Sequence, residues 1–332
     1  MRVPGNAIPT LTGSGVKSEL QSSEDRTIRI GSSPTCFGIQ RAIPPGAWKP
    51  EPLAVLDAVS GLGYEGISLG PPGYLGDAAT IRQRLTDRRL ALVEAFIPFH
   101  FTREDQFRDE RAATGELLSV MIDASFPSDR PLAVIADGFR DPMRWGYAGR
   151  IRQHPELQLP AEKFPMLIDN IHRVAEDCRS RGIEPVLHHH AGTFIETDAE
   201  VRRVVEALDS SLVGLCLDTG HATFGGSDST SLVNDYASLI RHVHLKDVTR
   251  SVIATSEDRG LDFTALTVAG AFCPLGLGDA EVANAISALN AHGYKGWFVV
   301  EQDRFLFEQG EFDDVVGVQR DNLHFLNSLG LK

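Results

Sequence analysis

The chain has 332 residues, 42% of them hydrophobic and 23% charged, with a net charge of −13. That length suits one large α/β domain or two ordinary ones. The acidic balance disfavours nucleic acid, whose binding rests on cations neutralising phosphates. No run of about 18 apolar residues is present to cross a membrane, and the N-terminus lacks the apolar core of a signal peptide. Cys36, Cys178, Cys216 and Cys273 stand far apart without CxxC spacing, as expected of a reduced, cytoplasmic protein.

Residues 1–27 are rich in Gly, Ser, Pro and Thr and show no period, so a mobile tail is expected there, followed by one domain over 28–332. Eight apolar runs then alternate with helical patterns. The strand candidates are IRIGSS, YEGISLG, LALVEAFIPFH, PLAVIADGF, IEPVLHHH, VGLCLDTGH, IRHVHLKDV and GWFVVEQD. Helical periodicity covers 50–62, 77–88, 103–126, 160–181, 197–209, 230–239, 279–292 and 313–329. Thr197 or Asp198 can cap its helix, and Gly182 follows a basic last turn. Eight strand–helix units predict a parallel sheet closed into a (β/α)8 TIM barrel. A doubly wound sheet is the rival, but no GxGxxG turn follows the first strand and no Walker A sequence is present. Residues 139–159 are too many for a tight turn, which marks them as a functional loop.

On such a barrel chemistry sits at the C-terminal strand ends, and polar residues gather there. The third run ends in His100, the fifth in His188, His189 and His190, and the sixth in Asp218 and His221. The seventh carries His242, His244, Lys246 and Arg250, and the eighth ends in Glu301. Each has a plain structural alternative. Asp218 alone reads as a helix cap, and His242 or His244 alone as a hydrogen-bonded interior histidine. Glu301 is harder to explain that way, because a carboxylate directly behind an apolar strand costs several kcal/mol to bury unpaired. A divalent cation would satisfy all four strand ends. Alternation sends His188 and His190 to one face and His189 to the other. A structural role and a substrate contact both stay open for His189. The same rule aligns His242 and Lys246 with His244, with His242 one layer deeper and bracing rather than ligating.

The motifs HHHAGT, DTGH and HVHLKDV, in that order and about one barrel strand apart, resemble the xylose-isomerase-like (β/α)8 superfamily of sugar isomerases, epimerases and dehydratases, and within it the inosose dehydratases. The resemblance is densest over 160–305. It implies a single divalent ion, Mn2+ or Co2+ first, with Fe2+, Zn2+ or Mg2+ as alternatives. The ion would be held by Asp218, His244, Glu301 and, where most of the superfamily has glutamate, His188. It also implies Arg250 and His221 as substrate contacts; His100 and His189 are further candidates from their places at strand ends alone.

Histidine in place of that glutamate leaves the cation less neutralised, hence a stronger Lewis acid. It also removes one of a symmetrical pair of bases. The expected chemistry starts from a polyol ketone or keto-sugar. An α-proton is removed to give a metal-stabilised enediolate, and the β-hydroxyl is then lost as water. His188 and Glu301 are the expected catalytic ligands, with His190, His221 and Lys246 as the further catalytic candidates, and the sequence leaves His189, His190, His221 and Lys246 all open as the acid. The competing expectations are an isomerase or epimerase of a ketose or keto-glycoside, an endonuclease IV-like hydrolase, and a metal-free binding protein on the same scaffold. The net charge and the single ligand set count against the nuclease. No residue shows an oligomeric state, although a homo-oligomer is compatible with such barrels. The segment FCPLGLGDA, 272–280, reads equally as a loop closing over substrate and as a Gly-rich turn with Asp279 capping the next helix.

Overall fold

Val93 is where the sheet closes on itself. In the computed structural model, which describes residues 27–138 and 140–331, the main sheet runs β3-β2-β1-β11-β8-β7-β6-β5-β4, with every neighbour parallel. These strands are β1 (Arg29–Ser32), β2 (Gly66–Ile67), β3 (Ala91–Leu92), β4 (Glu94–Phe99), β5 (Leu132–Asp137), β6 (Pro185–His188), β7 (Gly214–Asp218), β8 (Ile240–Leu245) and β11 (Trp297–Val300). The two ends of the sheet, β3 and β4, are halves of one chain segment. Between them the Val93 N–H donates to the Ile67 carbonyl at 3.0 Å, and its carbonyl accepts from Leu132 N at 3.0 Å. The expected eight-stave barrel is therefore present.

The staves alternate as a barrel requires. Leu187, Leu215, Leu217, Val243, Leu245, Phe298 and Val300 pack outward in the large core shared with the helices. Val93, Leu132, Val134, Val186, Cys216, Trp297 and Val299 pack inward as a separate apolar plug. Above that plug, on the same inward positions, stand His188, Asp218, His242, His244 and Glu301. Alternation breaks at the start of β8, where the register against β7 shifts past Arg241, and again at the seam. Val93 lies in the inner plug, yet Glu94 also points inward, onto His242 and His244. Two successive inward residues where the ladder breaks are the signature of a bulge, which re-aims a side chain.

The helices fall where their periods place them. Thr197 and Glu200 form a complete capping box at the start of Asp198–Ala207, and Gly182 sits at φ 74° behind Phe164–Ser180. The tail expected over 1–27 lies outside the described residues, except for Thr27. Residues 140–157 form short helical turns rather than an open loop. Arg144, fully buried, makes a two-pronged ion pair with Glu200 at 2.8 Å for each prong. Glu196 accepts from Gly149 N at 2.9 Å and Gly192 N at 2.5 Å. The segment is thereby fastened over the mouth beside β6.

After β8 the chain departs from expectation. Helices Arg250–Arg259 and Phe263–Val268 lie between β9 (Asp247–Val248) and β10 (Phe272–Cys273), which pair as an antiparallel ribbon. The Gly-rich stretch 272–280 is wrapped on one carboxylate. Asp247 accepts from Gly276 N, Gly278 N and Ala280 N at 2.9, 3.1 and 3.0 Å. Asp279 does not cap the following helix. Glu281 takes the cap position at φ 49°, while Asp279 accepts from Arg250 N at 2.7 Å.

Close approach at the barrel floor depends on Gly66. A Cβ there would lie 2.5 Å from Val93 Cγ2, 2.8 Å from Trp297 and 3.0 Å from the Ala91 carbonyl. None of these can swing aside without opening the plug. Gly66→Ala is expected to destabilise the protein by about 1–3 kcal/mol, the usual cost of overpacking, read as a lower urea midpoint at unchanged m value.

Candidate active site

Four strand ends converge on one polar cluster. His188 ends β6, Asp218 ends β7, His244 lies on β8 and Glu301 follows β11. Asp218, His244 and Glu301 each bring a donor atom within 4.8 Å of the others, and His188 makes a similar group with Asp218 and His221. His188 Nε2 is 3.4 Å from Asp218 Oδ2, His244 Nδ1 is 3.6 Å from the same oxygen, and Glu301 Oε2 is 3.3 Å from His244 Nδ1. Among the described residues, neither Asp218 Oδ2 nor His244 Nδ1 has a hydrogen-bond partner, though both are buried. Buried polar atoms are seldom left that way. Two orphaned atoms of complementary donor type, flanked by a second carboxylate and a second imidazole, fit a divalent cation with mixed N/O ligands.

The motif DTGH has a local explanation for every residue. Asp218 does serve as a helix cap, since Oδ1 accepts from His221 N at 2.8 Å. That use leaves Oδ2 for the site. Thr219 Oγ1 donates to the Lys246 carbonyl at 2.6 Å and accepts from Lys246 N at 2.9 Å, stitching β7 to the end of β8. Gly220 makes room for the lysine stem, because a Cβ there would lie 2.7 Å from Lys246 Cγ. His221 Nε2 meets Lys246 Nζ at 3.0 Å.

Lys246 is thus the centre of the cluster. Its ammonium, 2% exposed, is 2.9 Å from Asp303 Oδ2, 3.1 Å from Glu301 Oε2 and 3.4 Å from Asp218 Oδ2. Burial opposes its charge, but Asp218, Asp303 and Glu301 outweigh burial and hold it protonated well above the ordinary lysine range. Burial acts the other way on His190 and His221. Together with neighbouring imidazoles and Lys246, it holds both neutral, well below the ordinary imidazole range. His190 Nδ1 faces the Ala191 carbonyl at 2.6 Å. That contact puts the proton on Nδ1 and the lone pair on Nε2. The His190 ring lies 3.8 Å from that of His221 and parallel to that of Trp145, from the 140–157 segment.

The cavity lining includes His188, His190, Lys246, Glu301 and Asp303. His189, on the outer face, instead accepts from Asp218 N at 3.1 Å and braces that residue. His100 and Arg250 are not brought to the cavity. His100 Nδ1 pairs with Glu110 at 2.7 Å, and the Arg250 side chain is exposed at the start of its helix. Cys216 is an apolar filler whose thiol burial pushes up to about 12.

Glu94 is the residue the sequence reading passed over. It is 1% exposed, accepts from Ser68 Oγ at 2.7 Å, and binds both His242 Nε2 and, at 2.9 Å, His244 Nε2. Burial would raise its pKa, but the two imidazoles overcome burial and keep it ionised, well below the carboxylate range. By occupying Nε2 of His244 it leaves Nδ1 to face Asp218 and Glu301. Its signal was a lone carboxylate inside LALVEAFIPF, masked because strict alternation cannot foresee the bulge. Phe96, Phe263, Arg41 and Asp303, all in the lining, also drew no role from the sequence.

An apolar plug under a histidine–carboxylate cluster at the C-terminal mouth of a closed parallel barrel defines a class of (β/α)8 protein with a site built for polar small molecules. The chain belongs to the xylose isomerase-like TIM barrel family, whose profile matches residues 56–320. It is 29% identical over 250 residues to the inosose dehydratase of Geobacillus kaustophilus (strain HTA426), covering 75% of this chain and 79% of that one. A shorter match, 38% identical over 143 residues, is to the inosose dehydratase of Geobacillus thermodenitrificans (strain NG80-2). It covers 43% of this chain and 48%, about half, of that one. Among solved structures, the 3-keto-D-glucoside 4-epimerase of E. coli shares the fold with a TM-score of 0.61 at 16% identity, over 91% of this chain and 100% of that one.

Glu94→Gln tests the cluster. Losing the charge behind His244 is expected to weaken binding of Mn2+ or Co2+ by about 10–100-fold, the usual effect of removing a carboxylate behind a ligating imidazole. Titration calorimetry on the metal-stripped protein reads it. Unchanged affinity would mean that His244 does not ligate through Nδ1.

Proposed function

We propose that this chain is a divalent-metal-dependent carbon–oxygen lyase of the inosose dehydratase kind, removing water from a cyclic polyol ketone. The observation that carries the reading is the separation of proton-transfer roles at one cavity, lined by an ammonium, Lys246, and a neutral imidazole, His190, with a second neutral imidazole, His221, against the ammonium. Environments that push neighbouring titratable groups apart assign acid and base. The similarity to inosose dehydratases over three quarters of the chain supports the substrate class.

His188, Asp218, His244 and Glu301 would hold the cation, which when bound supplies Lewis-acid polarisation of a substrate carbonyl. The protein groups then divide the remaining work. His190 Nε2 accepts the proton from the carbon next to the carbonyl, and the C–H electron pair moves into the carbonyl system. Lys246 gives a proton to the departing β-hydroxyl, so that the C–O bond breaks with water as leaving group. Asp303 and Glu301 hold the lysine ammonium at that position. Phe96 and Phe263 line the cavity and exclude bulk water from the reacting carbon.

A second reading, a keto-sugar epimerase of the same family, draws on the fold shared with the 3-keto-D-glucoside 4-epimerase. It would need the abstracted proton to be returned rather than a hydroxyl lost. Incubation with scyllo-inosose in D2O separates the two. Dehydration gives rising dione absorbance, whereas exchange of deuterium without water loss supports the epimerase. In His188→Glu the metal is expected to stay bound while the ratio of elimination to exchange falls, and an unchanged ratio counts against a ligand role for His188.

The pH profile follows from the same groups. His190 must be neutral and Lys246 protonated. Since the first is held below its ordinary range and the second above, kcat/KM is expected to be flat through neutrality. It should fall on the acid side only below the ordinary imidazole range, as His190 gains a proton. A break near the unperturbed imidazole value of about 6.5 would remove His190 as the base.

A further inference from the structure

The cavity is acidic at its floor and basic at its rim. Glu301 and Asp303 lie at the floor, and Arg41 lines the same cavity. Nη2 of Arg41 donates to the Phe96 carbonyl at 2.7 Å. The Phe96 ring stands edge-on to His188 at 5.9 Å and lies 6.1 Å from His190. The guanidinium is therefore anchored within a side chain's reach of the reacting groups. Among the described residues no carboxylate pairs with it, and Nε and Nη1 make no hydrogen bond. This occurs in a chain with 45 acidic against 32 basic residues, where an acidic partner for an arginine is easy to supply. A second arginine reaches the backbone beside it from the 140–157 side. Arg140 Nη2 donates to the carbonyl of Ala42, next to Arg41, at 3.3 Å, and lies over the Trp145 ring that runs parallel to His190.

We infer that the substrate carries an anionic group, a carboxylate or a phosphate ester, seated on Arg41 at the rim while its polyol ketone end reaches the floor. The inference deepens the function proposed above and rests on that reading for the ketone end only. Charge fixes the orientation. The floor ammonium, Lys246, is already paired with Glu301 and Asp303, whereas the rim offers a planar, permanently charged fork with no carboxylate partner among the described residues, suited to two-pronged contact with carboxylate or phosphate. Arg140 adds to the same potential.

Titration of the full-length, metal-loaded protein with D-glucose, D-glucuronate and D-glucose 6-phosphate tests this. One or both anions are expected to bind about tenfold tighter than glucose, with the preference shrinking as salt rises. Which anion is preferred separates carboxylate from phosphate. In Arg41→Gln the ratio of anion to glucose affinity should collapse. In Arg41→Lys, which keeps the charge and loses the fork, part of it should remain. Equal binding of all three sugars, no measurable binding of either anion, or a preference that survives Arg41→Gln in a folded variant would overturn the inference. Dehydration of scyllo-inosose by the unmodified protein is scored separately. Its success shows the lyase reaction whether or not the anion preference appears, whereas an Arg41-dependent anion preference stands on binding alone.

Discussion

One buried ammonium organises the upper half of this barrel. Lys246 Nζ lies within 3.4 Å of three carboxylates, Asp218, Glu301 and Asp303, and within 3.0 Å of an imidazole. Carboxylates in so dry a place would be prohibitively costly without a cation. The lysine supplies one, and much local sequence serves to hold it. Thr219 clamps its backbone, Gly220 clears its stem, and the cap made by Asp218 keeps β7 and the following short helix in register with it. Removing the lysine charge would leave three acids to repel one another at the ends of two staves, β7 and β11. The ion pair is therefore weak evidence for stability in itself, but strong evidence that the acids are needed for something else.

What they are suited for is a second cation. Lys246 balances the acids from one side, and the orphaned pair Asp218 Oδ2 and His244 Nδ1 marks the other. Glu94 completes the arrangement from behind, since its charge polarises His244 and satisfies His242. The layers of the barrel thus grade from apolar plug, through a carboxylate bridging two histidines, to the mixed donor cluster, and then to aromatic walls and a basic rim. Each layer protects the next from an unpaired buried charge.

The architecture was legible because it is written in period. Eight apolar runs with helical patterns between them give a closed parallel barrel almost by counting, and alternation along β8 sends His242, His244 and Lys246 inward as expected. The same rule divided the histidine triplet correctly into inward His188 and His190 and outward His189. It failed where the backbone breaks its own rule. The bulge at Val93 and Glu94 has no signature in a run of apolar residues, so the carboxylate behind His244 stayed hidden. His100 and Arg250 lie away from the cavity for a different reason. A position near a strand end does not say whether a side chain turns to the axis or finds a nearer partner, and Glu110 and solvent decide those cases. The helices after β9 were missed because their apolar positions are few and short.

That bulge joins folding to chemistry more closely than any other feature. The backbone of Val93 closes the barrel by bonding β2 on one side and β5 on the other, and the next residue is the carboxylate under His244. An extra inward residue at the seam costs a regular ladder position, and bulges of this kind recur beside active sites because they aim a side chain that a regular strand could not. Here the aim is specific. A regular strand with Val93 inward would send Glu94 out among the apolar residues that face the helices, where an ionised carboxyl has no partner. With the bulge, the same carboxyl reaches two imidazoles and a serine. The closure of the barrel and the orientation of His244 are therefore set by one backbone irregularity, and a change that straightened the seam would lose both together.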